Sequence, residues 1–225
     1  MTPNQQNFAN ISVIIPAYRA AATIERALKS IEGQTLFPTE IIIVDDGSED
    51  GTFEAAEACR TKLEGIDLKI IRQTNLGAGA ARNKAIETAH CKFVAFLDAD
   101  DEWLPEKLEL SLARLQSGNH QLIAHNGWIQ EDGKETHLDI AARFRAAGSD
   151  PFHGLYRRGF ISTSSVMAKR DAVLNAGGFD ESLAVGQDFD LWLKMLGKPG
   201  ASFEVFDQAL TRYHITPGSI TSQAA

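Results

Sequence analysis

The chain has 225 residues, 44% hydrophobic and 23% charged, which admits one large domain or two small ones with an ordinary globular core. Its formal net charge of −8 excludes the basic footprint of a general nucleic-acid binder, and no apolar run approaches the roughly 18 residues of a membrane span. The polar start, Met1 to Asn10, has no signal-peptide core, and the two cysteines, Cys59 and Cys91, are expected to be buried free thiols of a reducing cytosol. Residues 11–15 (ISVII) predict a first buried strand, stopped by Pro16 and followed by the loop Ala17-Tyr18-Arg19. Residues 23–31 predict a helix with Ile24, Leu28 and Ile31 on one face. Residues 40–44 form a second, β-branched strand that runs into Asp45-Asp46-Gly47-Ser48, and a helix from Thr52, its expected N-cap, reaches Arg60. Residues 68–72 give a third strand, 75–79 a glycine-rich turn, and 80–89 a third helix. A fourth strand over 92–97 ends in Asp98-Ala99-Asp100-Asp101. The βαβαβαβ order implies parallel strands and right-handed crossovers.

The second half is looser. A helix starts at Pro105 and runs to about Leu115, 122–129 is strand-like, and 131–134 reads as a hairpin turn. Residues 137–158 take no assignment; they carry Arg143, Arg145, Arg157 and Arg158, whose usual meaning is a solvated face. Residues 160–167 read as a strand, a short helix from Lys169 ends at Gly177-Gly178, 188–196 is a helix, 203–206 a short strand, and Thr211 onward a tail. With no internal repeat or linker, the chain reads as one domain: a nucleotide-binding half over 1–102 and a second half over 103–225.

Chemistry gathers where strands end in acid. In a doubly wound sheet Asp45/Asp46 and Asp98/Asp100 face one crevice at the carboxyl edge. Three carboxylates in four positions repel one another unless a cation or water intervenes, and two hard oxygen ligands suit Mg²⁺ or Mn²⁺ with a phosphorylated substrate. An acidic turn opening the next helix accounts for the same residues equally well. A carboxylate such as Asp46 can accept a nucleobase N–H or ribose hydroxyls, and the glycine turn lets backbone approach a ligand at a helix N-terminus. Arg82, one turn into that helix, can aim a guanidinium at a diphosphate.

On SVIIPAYR (12–19), EIIIVDDGSEDGT (40–52), NLGAGAARNKAI (75–86), FVAFLDADDEW (93–103), GGFDE (177–181) and GQDFDLWLKM (186–195), the chain resembles the inverting GT-A-fold glycosyltransferases of family 2, from Ile11 to about Ser219. The resemblance implies an α/β GT-A fold: a Rossmann-like, doubly wound, mixed but mostly parallel sheet with an acceptor-side sub-region. Pro16, Ala17 and Tyr18 match the loop against the nucleoside, Asp46 the carboxylate that reads the base, Asp45 its neighbour shaping the turn, and Arg82 the arginine near the nucleotide. Asp98 and Asp100 match the DxD motif, Asp100 carrying the metal and Asp98 meeting ribose or metal-bound water. Asp188 matches the general base, in the second half that would bind acceptor.

Two departures stand out. Gln187 replaces the usual Glu before Asp188, which removes a negative charge beside the base and bears on acceptor contact. Tyr213-His214 stands where many relatives have Tyr-Arg; His214 is a candidate for diphosphate or metal, though a lone histidine is more often structural. Trp103 is a candidate to stack on acceptor, and Trp192 reads as core. The expected reaction is a single displacement that moves sugar from a nucleotide-diphosphate sugar, in the first instance a UDP-sugar, to a saccharide or lipid-linked hydroxyl of a bacterial-type envelope polysaccharide, lipopolysaccharide or glycolipid. Mn²⁺ or Mg²⁺ and the helix dipole would stabilise the leaving group while Asp188 deprotonates the acceptor. The expected location is cytoplasmic, peripheral at the inner face of the membrane; a homo-oligomer is left open. A sugar-phosphate nucleotidyltransferase would need a glycine-rich basic loop after the first strand, where this chain has PAYRAA. A phosphoacceptor receiver domain would need its Val-Asp-Asp on the first strand, and a catalytically silent sugar-binding module is kept open by Gln187.

Overall fold

The structure, a computed structural model, describes residues 7–215 apart from 147 and 149. Its first half is β1 (Phe8–Ala17), α1 (Ile24–Glu32), β2 (Phe37–Asp46), α2 (Thr52–Ala58), β3 (Asp67–Gln73), α3 (Ala78–Thr88) and β4 (Phe93–Phe96). These strands pair in parallel in the order β3-β2-β1-β4, as the alternation of strand and helix predicts. The second half adds β5 (Glu102–Trp103), α4 (Lys107–Ser117), β6 (Leu122–Glu131), β7 (Lys134–Leu138), α5 (Ile140–Arg145), α6 (Pro151–Arg158), β8 (Met167–Lys169), α7 (Arg170–Asn175), α8 (Gln187–Leu196) and β9 (Phe203–His214). It extends the same sheet as β4-β8-β6-β9-β5, with β7 on β6, and here antiparallel pairs enter at β4–β8, β6–β8, β6–β7 and β5–β9. The result is one curled mixed sheet covered by helices on both faces.

Alternation explains the unbroken apolar strands. Ile11, Val13 and Ile15 pack with Ile24, Leu28 and Ile31 of α1 and Leu108 of α4, whereas Ile14, Val94 and Phe96 pack with Ala81 and Ala85 of α3 and Trp192 of α8. Trp192 is core, at 5.7 Å from the Phe96 ring and 6.0 Å from Phe179. Cys59 and Cys91 are free and buried, and burial raises both thiols, which suits inert packing groups.

The structure corrects four local readings. Pro16 does not stop β1: it pairs with Val44, and the ladder with β4 has already ended at Ile14–Phe96, so no partner asks for the missing N–H on that side. Thr52 is not the N-cap of α2 but its first residue after Gly51; its hydroxyl donates to Asp50 Oδ1 at 2.6 Å and accepts the Ala20 N–H at 2.8 Å. The expected strand over 160–167 is a 3-10 turn, Thr163–Ser165, with strand only at Met167–Lys169. Hydroxyl side chains compete with a ladder there: Ser165 Oγ donates to the Ser162 carbonyl at 2.7 Å. Finally, residues 211–214 are not a tail but the end of β9, where Thr211 pairs with Trp103 and Arg212 with Trp128. Residues from 216 on lie outside the described ones. The unassigned stretch 137–158 holds the end of β7 together with α5 and α6.

Candidate active site

The carboxyl ends of β1, β2 and β4 form one edge, and their side chains build the candidate site. Asp45, fully buried, accepts the Ser48 N–H at 3.0 Å and Arg72 Nε at 3.2 Å, so it shapes the turn after β2. Asp46 ties that turn to the glycine loop: Oδ1 accepts Gln73 Nε2 at 2.8 Å and Leu76 N–H at 2.9 Å, and Oδ2 accepts Gly77 N–H at 2.8 Å. Three of its roughly four acceptor positions are thereby filled by protein, leaving room for one further donor. Both neighbouring glycines are required: Gly77 sits at φ +93°, and a Cβ on Gly47 (φ +78°) would come 2.8 Å from the Asn75 nitrogen. Pro16 and Ala17 are buried beneath the edge, whereas Tyr18 is 47% exposed with the Arg19 guanidinium 5.2 Å from its ring.

Arg82 projects from α3 at 8% exposure and donates Nη2 to Asp98 Oδ1 at 2.5 Å. Its guanidinium also lies 5.3 Å from the Phe179 ring, and its Nε has no partner among the described residues. Phe179 is fixed by Asn83, which accepts its N–H and donates to its carbonyl, both at 2.8 Å, so α3 carries the 177–181 loop with it. Next along the chain, burial and the Asp98 charge raise the Asp100 carboxyl above its ordinary range, while Arg26 donates to the Asp100 carbonyl at 2.5 Å. Asp101 is driven up further by burial and by both aspartates, and it accepts Ser164 Oγ at 2.6 Å.

Asp188 lies in the first turn of α8. Its Oδ2 accepts Thr163 Oγ1 at 2.7 Å and its Oδ1 the Phe189 N–H at 2.8 Å. Gln187 turns inward: Nε2 donates to the Leu183 carbonyl at 2.5 Å, and its amide packs so tightly on Gly79 that a Cβ there would approach it to 3.1 Å. An ionised Glu could not donate to that carbonyl, which gives the amide a reason of its own. Gln187 therefore contacts α3 and not an open acceptor face. Trp103 is corrected likewise: at 3% exposure it donates Nε1 to the Ser164 carbonyl at 2.8 Å and lies under Lys107 Nζ at 4.0 Å, with no ring face free for stacking. His214 has its ring 3.6 Å from Glu102 Oε1, and burial followed by Arg26 lowers its pKa.

The site thus brings Arg82 into contact with Asp98, sets Asp100 near enough to feel both charges, and leaves Trp103 and Gln187 outside an open acceptor surface. Sequence reasoning missed Thr163 and Ser164 because four hydroxyl residues in an apolar frame read as strand; their run just before β8 was the available signal. A divalent cation fits the donor chemistry at Asp98 and Asp100, since both are hard oxygen ligands whose crowding lacks a full counter-charge. Among the described residues no group of three or more His, Cys, Asp or Glu stands ready as a cage, so the ion would share its shell with a ligand.

The model for glycosyl transferase family 2 matches residues 12–173. The chain is 32% identical over 215 residues to the amylovoran biosynthesis glycosyltransferase AmsB of Erwinia amylovora, spanning 92% of this chain and 70% of that protein. It is 28% identical over 213 residues to the UDP-Glc:alpha-D-GlcNAc-diphosphoundecaprenol beta-1,3-glucosyltransferase WfgD of Escherichia coli, spanning 94% and 79%. The fold is that of S. aureus TarS in complex with UDP-GlcNAc, with a TM-score of 0.76 at 24% identity over 96% of this chain and 61% of the TarS chain. From the family match and the AmsB relationship together, this chain belongs to glycosyl transferase family 2 and is a glycosyltransferase.

Proposed function

We propose that the enzyme moves a sugar, with inversion, from a UDP-sugar to a hydroxyl of a saccharide or lipid-linked acceptor in envelope polysaccharide synthesis. The observation that carries this reading is the pair Asp98–Asp100 on the loop after β4, crowded and short of counter-charge, with Asp188 bonded to Thr163 next to the Ser164 that holds that loop. AmsB by name serves amylovoran biosynthesis, and WfgD by name takes UDP-Glc and a diphosphoundecaprenol-linked acceptor; both names support the donor and acceptor classes. In this reading residues 1–102 bind donor and 103–225 bind acceptor.

Asp98 and Asp100 would hold Mn²⁺ or Mg²⁺, which neutralises charge on the departing diphosphate. The remaining acceptor position of Asp46 takes a base N–H, the exposed Tyr18 ring covers the nucleoside, and Arg82 stands beside the diphosphate. Asp188 retains a second lone pair on each oxygen and removes the acceptor proton from the opposite side of the sugar. Holding the reactants in register, with charge neutralised, supplies most of the rate.

A peripheral membrane contact belongs to the same reading. Arg143, Arg157 and Arg158 are exposed and have no carboxylate partner among the described residues, Tyr156 on α6 is 64% exposed, and a Cβ on Gly159 would come 3.6 Å from the Phe189 ring, next to Asp188. Basic and aromatic side chains together suit an anionic leaflet, which would confine a lipid-linked acceptor near the base. Among the described residues no helix is long and apolar enough to cross a membrane. The test of the proposal is a nucleotide-sugar panel scored by thermal shift and transfer, with Mn²⁺ or with chelator. A UDP-sugar should stabilise the protein with Mn²⁺ and not with chelator; equal stabilisation under both conditions would remove the metal.

A further inference from the structure

Two adjacent hydroxyls connect the two sides of the site. Ser164, 1% exposed, donates Oγ to Asp101 Oδ2 at 2.6 Å and accepts the Asp98 N–H at 3.0 Å. Its carbonyl accepts Trp103 Nε1 at 2.8 Å and Thr211 Oγ1 at 3.2 Å, so one residue ties the aspartate loop to β5 and β9. Thr163 gives its only hydroxyl proton to Asp188 Oδ2 at 2.7 Å. Consecutive Cα atoms lie about 3.8 Å apart, so the anchors of the two aspartate sets cannot drift independently. The turn is itself fixed: Val166 N–H donates to Thr163 O at 2.9 Å, Ser165 Oγ to Ser162 O at 2.7 Å, and Phe96 N–H of β4 to Val166 O at 3.2 Å.

We infer that the Thr163–Ser165 turn is the positioning element of the active site, with Ser164 setting the donor-side aspartate loop and Thr163 setting the carboxylate of Asp188. The inference rests on the proposed role of Asp188. Both hydroxyls are buried and give their protons to carboxylates of the protein, so each acts through a carboxylate or amide. Adjacent residues therefore control different kinetic quantities. A misplacement on the order of 1 Å in the base costs turnover by about 10²-fold, without loosening a nucleotide it does not contact.

The full chain is compared with Thr163→Val, Thr163→Ser, Ser164→Ala and Asp188→Asn by steady-state transfer, calorimetric UDP–Mn²⁺ binding and thermal melting. Thr163→Val, nearly isosteric, should lose about 10- to 100-fold in kcat with the UDP dissociation constant within about twofold, and Thr163→Ser should restore most of the rate. Ser164→Ala should instead weaken UDP–Mn²⁺ binding by about 5- to 10-fold. If Ser164→Ala does not fold, Asp101→Ala removes the same hydrogen bond from the carboxylate side and gives the same comparison. Parental kcat in Thr163→Val, or parallel losses of rate and nucleotide affinity in both single variants, overturns the positioning role. Parental turnover in Asp188→Asn overturns the base assignment itself, whereas an inactive Asp188→Asn beside a fully active Thr163→Val overturns the positioning role alone.

Discussion

Arg82 Nη2 lies 2.5 Å from Asp98 Oδ1, so the guanidinium expected to face a diphosphate is the counter-charge of the aspartate loop. The pair is largely buried on the arginine side, and the neighbouring Asp100 and Asp101 have carboxyls raised by burial and by the Asp98 charge. Donor binding with a cation would release Arg82 toward the diphosphate by supplying the positive charge it now provides.

Removing either charge should therefore have opposite effects on the need for metal. Arg82→Met leaves Asp98 without its ion-pair partner and should destabilise the protein by about 1–3 kcal/mol, a loss that Mn²⁺ partly recovers in a thermal melt. Asp100→Ala should leave the fold intact and weaken UDP–Mn²⁺ binding strongly. Equal affinity in Asp100→Ala and parent, with and without chelator, would sink the metal assignment.

A second carboxylate, at the opposite edge of the sheet, is structural. Glu40 is 2% exposed; burial opposes its charge, but hydrogen bonds from Lys69 (2.6 Å), Ser12 (2.6 Å) and the His90 amide (2.7 Å) outweigh it and hold its pKa at about 2, against an ordinary 4.5. A depressed folded pKa stabilises above the unfolded value and loses that contribution as pH falls from about 4.5 toward 2. The charge-dependent part amounts to about 3 kcal/mol at neutral pH. In urea unfolding Glu40→Gln should be less stable than the parent at pH 7, and the gap should narrow below about pH 4.5 and close as pH approaches 2. A gap that persists unchanged into acid would show that the charge is not its source.

The exposed arginines of α5 and α6 make a third prediction. The parent chain should co-sediment with phosphatidylglycerol vesicles at low salt and not with phosphatidylcholine vesicles. Arg157→Ala with Arg158→Ala should cost about 1 kcal/mol each, or roughly 30-fold in partitioning. Equal recovery on both vesicle types would remove the electrostatic contact.

Much of this was legible in the sequence because the signal is local. A short apolar run closed by acid, as in Glu40–Asp46 or Phe93–Asp98, states both a strand covered on two faces and where its edge lies. What escaped depends on long-range partners. Thr163 to Ser165 sit in an apolar frame, and only the Ser164 contacts with Trp103 and Asp101, more than 60 residues away, make them a turn. Thr211 to His214 look like a tail until β6 and β5 lie on either side. Trp103 follows the aspartate loop and reads in sequence as a ligand-stacking residue, yet Lys107 and Ser164 claim its ring and its N–H.

The central claim is that Asp188 is the base, and Asp188→Asn tests it most directly. Asn preserves first-turn hydrogen bonding on α8 but has no basic oxygen, so a helix-stabilising role survives the change and proton removal does not. A positioned base contributes roughly 10²–10⁴-fold, which sets the expected fall in kcat. The UDP–Mn²⁺ dissociation constant should stay near the parental value, because in the proposed arrangement the β1, β2 and β4 edge, and not Asp188, would hold the nucleotide. Transfer at the parental rate by Asp188→Asn would contradict the account and put the base elsewhere.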